Sequence, residues 1–91
     1  MNLQELINDE KTKIIDVRTE EEFSEGNVNQ SVNIPLHEIP GRIEELKEMQ
    51  PIVLCCRSGQ RSGRAMDFLK SQGLEEVYNG GGWLELVDLQ K

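Results

Sequence analysis

Residues 52–56 read Ile-Val-Leu-Cys-Cys, five apolar residues in succession between Pro51 and Arg57. A strand with one wet face alternates apolar and polar residues, whereas an unbroken run is the pattern of a strand covered on both faces. Such a strand needs neighbours in a sheet and helices above and below it.

The rest of the chain supplies the missing parts in alternation. Leu3, Leu6 and Ile7 mark a short amphipathic helix over residues 2–9, and Lys13–Val17 is a β-branched strand. Thr19 followed by Glu20, Glu21 and Glu22 is the start of a helix, with Gly26 and Asn27 as its stop. Ser31–Ile34 reads as a strand closed by Pro35, and a helical coil then precedes a main helix from about Pro40 to Met49. After the apolar run, Ser62–Gln72 is helical and ends at Gly73. Glu76–Tyr78 forms a last strand, Asn79–Gly82 a tight turn, and Trp83–Leu89 a terminal helix. The order implies one α/β domain over residues 1–91, with a small, mainly parallel sheet of about five strands flanked by helices on both faces.

Composition narrows the class of function. The chain carries 17 acids against 10 Lys and Arg, a net charge of −7, which argues against nucleic acid and against an anionic membrane surface as partner. No apolar run approaches the ~20 residues that span a bilayer, and the N-terminus lacks the basic and apolar regions of a secretory signal, so a cytoplasmic location is expected. The two cysteines are adjacent, a spacing that disfavours a disulfide between them. With one distant histidine, His37, they do not make a zinc set, and no metal or cofactor is expected.

Against that acidic background, the segment Cys55-Cys56-Arg57-Ser58-Gly59-Gln60-Arg61-Ser62 stands out. No acid occurs between Gln50 and Met66, while Arg57, Arg61 and Arg64 are three of the five arginines in the protein. The segment lies where a central strand hands over to a helix, the usual edge for ligand sites in open α/β sheets. A short loop there turns successive N–H groups inward to make an anion nest, and Gly59 tolerates the positive φ such a curl requires. Cationic and dipolar surroundings lower a thiol's pKa by one to several units and make its thiolate available. Cys56 is thus the candidate nucleophile, with Arg57, Ser58, Gly59, Gln60 and Arg61 as the candidate binding loop. Cys55 is read as inert core, Ser62 as the helix cap and Arg64 as a solvated helix residue.

The same residues resemble the rhodanese-like sulfurtransferases. In that family a cysteine is followed by four residues, an arginine and Ser or Thr, as in Cys56–Ser62 here. Asp16-Val17-Arg18, Glu22-Phe23, Gly26 and Asn33-Ile34-Pro35-Leu36 are similar to its upstream signature. The chain departs from the pattern at Asn27, where the family has histidine, at Asn29-Gln30-Ser31 for Pro-Gly-Ala, and at Trp83, which follows Gly80-Gly81-Gly82 directly.

The resemblance implies a persulfide on Cys56, loaded from a small anionic sulfur donor such as thiosulfate and passed to cyanide, a low-molecular-weight thiol or a protein cysteine. It implies that backbone N–H groups of residues 57–61 hold the terminal sulfur, that Arg57 and Arg61 attract the donor, and that Asp16 is a structural acid pairing with an arginine. Two rivals stand beside it. One is a non-catalytic or redox-sensing module of the same fold. The other is a related phosphatase or arsenate reductase, whose loops place five residues between cysteine and arginine rather than four.

Overall fold

A computed structural model describes residues 1–91. Its elements in chain order are α1 (Leu3–Ile7), β1 (Lys13–Asp16), α2 (Glu20–Glu25), β2 (Val32–Asn33), a 3-10 segment (Leu36–Arg42), α3 (Ile43–Glu48), β3 (Ile52–Cys56), α4 (Gln60–Ser71), β4 (Val77–Gly82) and α5 (Trp83–Leu89). The four strands form one sheet in the order β2-β1-β3-β4, and every pairing is parallel. None of the helices is long and apolar enough to cross a membrane.

The apolar run behaves as its composition demands. All five residues of β3 are buried, and period-2 alternation sends them to two separate cores. Ile52, Leu54 and Cys56 join Ile15, Val17, Leu46, Ala65 and Leu69 on the side of α3 and α4. Val53 and Cys55 join Ile7, Ile14, Val28 and Leu86 on the side of α1 and α5. The adjacent thiols therefore face opposite layers of the molecule.

Several expectations are corrected. The sheet has four strands, not five: only the four runs read as strands pair, and the residues before β1 form α1, a helix as expected, held by a capping box between Asn2 and Glu5. The main helix after Pro35 is split: Pro40 lies inside the 3-10 segment, and α-helical bonding begins only at Ile43. Residues 79–82 are not a tight turn but the second half of β4. Leu54 pairs with Asn79 and Cys55 with Gly81, so Gly80 is the extra residue of a bulge. Glycine is required at both ends of this stretch. A Cβ at Gly80 would lie 2.7 Å from Val53 Cγ1, and one at Gly82 2.8 Å from the Arg57 carbonyl oxygen. The departure at Gln30 also has a backbone cost, since it adopts φ +67°.

The carboxyl end of β1 is tied down by a buried ion pair. Asp16 is 0% exposed and Arg18 4%, with Arg18 Nη2 2.7 Å from Asp16 Oδ2. Arg18 Nε also donates to the same carboxylate, Nη1 donates to the Glu22 carbonyl, and Nη2 donates to the Gly26 carbonyl. The guanidinium lies 4.5 Å from the centroid of the Trp83 ring. Trp83 in turn packs so closely that a Cβ at Gly26 would meet its ring at 2.9 Å. One arginine thus joins β1, both ends of α2 and the start of α5.

Replacing Arg18 with alanine leaves Asp16 buried without its partner. Loss of one member of a buried pair costs about 3–5 kcal/mol. Urea unfolding should register this as a lower midpoint, and a midpoint equal to that of the unaltered protein would show that the pair carries no such weight.

Candidate active site

Parallel order places the candidate site where the chain changes direction. The connection leaving β1 runs to β2 on one side and that leaving β3 runs to β4 on the other, so the switch point lies between the carboxyl ends of β1 and β3. Cys56 is the last residue of β3 and Gly59 the residue that caps α4, with φ +95°. The left-handed turn at Gly59 brings the chain back over the thiol. Gly59 N–H donates to Cys56 Sγ at 3.0 Å.

Helix α4 consequently starts at Gln60, two residues earlier than expected, and Ser62 is not its cap. Its side chain is instead buried and stands 3.4 Å from Cys56 Sγ, with Asn79 Oδ1 on its other side at 2.7 Å. Sequence reasoning assigned Ser62 to the cap because a serine before a helical run carries the same signature in either role. The turn at Gly59 decides between them.

Burial of Cys56, which is 1% exposed, works against its thiolate. Hydrogen bonds from the Ser62 hydroxyl and from the backbone N–H groups of Ser62, Ser58 and Gly59 outweigh that burial and bring the thiol below its ordinary range. Cys55 meets the opposite fate. Burial pushes its thiol up, the Asp16 carboxylate adds to the rise, and Arg18 offsets only part of it. Two neighbours in sequence thus meet opposite electrostatic surroundings because they face different sides of one strand.

The loop residues are distributed unevenly. Arg57, Ser58 and Gln60 are exposed and Gly59 is half-buried. Arg57 makes no ion pair, and Arg64 on α4 is exposed as expected. Arg61 is not free: Nη1 and Nη2 grip the Glu22 carboxylate at 2.7 and 3.0 Å. The window without acids is therefore acid-free only along the chain. In space, α2 brings Glu22 to it. His37 stays at the surface beside Glu38, lining a shallow cavity of about 290 Å³ that includes Thr19, Pro35 and Arg61.

In the sequence Glu22 reads only as a first-turn acid of α2 and as part of the resemblance, because its partner lies 39 residues away. It also completes the capping box of α2, accepting from the Thr19 N–H and hydroxyl. The Arg61 guanidinium, followed by the Thr19 bonds, holds its carboxyl at about 2, against 4.5 for a free glutamate. A depressed carboxyl stabilises the fold fully above the unfolded value and loses that contribution as pH falls through the folded one. The stability advantage over Glu22→Gln, a variant that can still cap α2, should be constant at neutral pH. It should shrink between pH 4.5 and 2. Urea midpoints measured across that range test this, and an advantage that grew on acidification would contradict it.

Comparison with known proteins follows the same residues. The model of the rhodanese-like domain family matches residues 2–88. A sulfurtransferase of Allochromatium vinosum is 36% identical over 76 residues, covering 84% of this chain and 71% of that protein. The thiosulfate sulfurtransferase PspE of Escherichia coli is 34% identical over 75 residues, covering 80% and 72%. Among solved structures, a rhodanese with anions from E. coli superposes with a TM-score of 0.73 at 31% identity, covering 81% of this chain and 89% of its own.

Proposed function

This chain belongs to the rhodanese-like domain family, the two relatives described above are named for sulfur transfer, and we propose that it carries sulfane sulfur on Cys56. The observation that carries the reading is a buried thiol accepting the Gly59 N–H at 3.0 Å, with the Ser62 hydroxyl beside it at 3.4 Å.

In the proposed cycle the Cys56 thiolate attacks the outer sulfur of thiosulfate, or the terminal sulfur of a persulfide donor. The donor's S–S bond breaks, and sulfite (or the donor thiolate) departs with the electron pair. A persulfide anion remains on Cys56. A thiophilic acceptor then attacks the terminal sulfur, and the electron pair of the breaking bond returns to Cys56 as thiolate. Negative charge sits on sulfur at both stages, so backbone N–H groups of the 57–61 loop serve both. Arg57, unpaired and exposed, is the cation available to an incoming anion. Arg61, held by Glu22, contributes chiefly by fixing the loop against α2. Four residues between Cys56 and Arg61 favour this chemistry over phosphate transfer, whose loops by resemblance hold five.

Intact mass after incubation with thiosulfate tests the assignment. A gain of one sulfur should appear in the unaltered protein and in Cys55→Ala, and should vanish in Cys56→Ala. A gain that survives in Cys56→Ala would remove Cys56 from the role. No gain in any form would favour the non-catalytic module, and phosphate released from an aryl phosphate would favour the phosphatase.

A further inference from the structure

The side chain of Asn79 sits at the bulge of β4, outside the loop, yet it bonds both to the loop and to its own strand. Its Nδ2 donates to the Gly59 carbonyl at 3.0 Å, and its Oδ1 accepts from the Gly81 N–H at 3.0 Å. A donor contact on one end and an acceptor contact on the other fix which way the amide lies. A flip would set its NH₂ against a backbone N–H and its oxygen against a carbonyl. The atom facing Ser62 is therefore an oxygen with no hydrogen to give, so Ser62 must be the donor in their 2.7 Å contact.

Ser62 has one hydroxyl hydrogen and two neighbours able to take it: Asn79 Oδ1 at 2.7 Å and Cys56 Sγ at 3.4 Å. With the hydrogen on Asn79, Ser62 shows the sulfur a lone pair. That arrangement suits a protonated Cys56, which donates its S–H. Once Cys56 is a thiolate, the same lone pair faces a negative charge. The hydrogen must then turn to sulfur and leave Asn79 Oδ1 with the Gly81 N–H alone.

We propose that Asn79 is a positioning residue for Cys56, setting the direction in which Ser62 points its single hydrogen. It competes with the thiolate for that hydrogen and so ties the state of the sulfur to the bulge in β4. Its role rests on Cys56 being the reacting thiol, as read above, but its test measures ionisation rather than sulfur transfer, so either reading can fail alone.

Other charged groups near Cys56 are Arg57 in the loop, Arg61 on α4 with its Glu22 partner on α2, and the Asp16–Arg18 pair at the end of β1. Glu85 of α5 approaches the Gly81–Gly82 segment. None of them hydrogen-bonds to Asn79 or Ser62. Cys55, buried on the opposite face with its thiol pushed up, stays silent in a thiolate assay.

The rate of alkylation of Cys56 by iodoacetamide, followed against pH by intact mass, gives the midpoint of thiolate formation. Asn79→Leu, close in shape but without an acceptor, should lower this midpoint by about one pH unit, the worth of one hydrogen bond to a charged group. Ser62→Ala should raise the midpoint more in the Asn79→Leu background than in the unaltered protein, because Ser62 is then wholly committed to sulfur. An unchanged or raised midpoint in Asn79→Leu, or equal effects of Ser62→Ala in both backgrounds, overturns the proposal. A measurement on the unaltered protein guards against a misfolded variant. The ¹³C resonance of the Asn79 side-chain carbonyl should titrate with the Cys56 midpoint and cease to do so in Ser62→Ala. A resonance that does not follow that midpoint in the unaltered protein also overturns it.

Discussion

A single buried cation holds this small fold in register. Arg18 leaves the end of β1, turns back onto Asp16, and uses its remaining N–H groups on the carbonyls of Glu22 and Gly26. Burying a guanidinium is tolerable only when its donors are satisfied and its charge is matched, and here both conditions are met from three elements at once. Asn33 extends the arrangement by donating to the Asp16 and Arg18 carbonyls, which brings the two-residue strand β2 alongside. The position of α2 follows from this, and so does that of the Glu22 carboxylate. Through Glu22 the network reaches Arg61 and thus the first turn of α4. The loop over Cys56 is anchored at one end by β3 and at the other by a chain of charge that begins beneath β1.

Glycine supplies the complementary constraint. Where charge fixes distances between elements, Gly80 and Gly82 allow β4 to lie against Val53 and the Arg57 carbonyl at separations that no side chain permits. The bulge centred on Gly80 then places Asn79 where it can reach both the Gly59 carbonyl and Ser62. A run of three glycines followed at once by Trp83 is thus consistent with a structural purpose. It shortens the path from β4 to α5 so that Trp83 begins the helix and meets Arg18.

Much of this could be read along the chain. The unbroken apolar run led to a strand covered on both faces, and period-2 alternation explains why one cysteine lies in each core. Capping signals located α2, and the strand-loop-helix setting located the Cys56 loop. What was missed depended on contacts distant in sequence. Arg61 looked like a free cation because its partner lies 39 positions upstream, and Asn79 looked like turn chemistry because its partners lie 17 and 20 positions away. Ser62 was misassigned for a local reason: a cap and a buried hydroxyl at the third helical position share one sequence pattern. The fifth strand was expected from the class of fold rather than from any run of residues.

The opposite facing of Cys55 and Cys56 has a consequence for traffic through the site. These 91 residues contain no other thiol, and Cys55 is sealed in the layer beneath the sheet, on the far side from its neighbour. Thiol exchange needs an attacking thiolate, and redox-active cysteines often have a resolving cysteine close by to supply it. Cys56 has no such resolving partner within the chain. None of these residues can displace a group bound to its sulfur by thiol exchange, so any such group leaves only to a thiol from outside them.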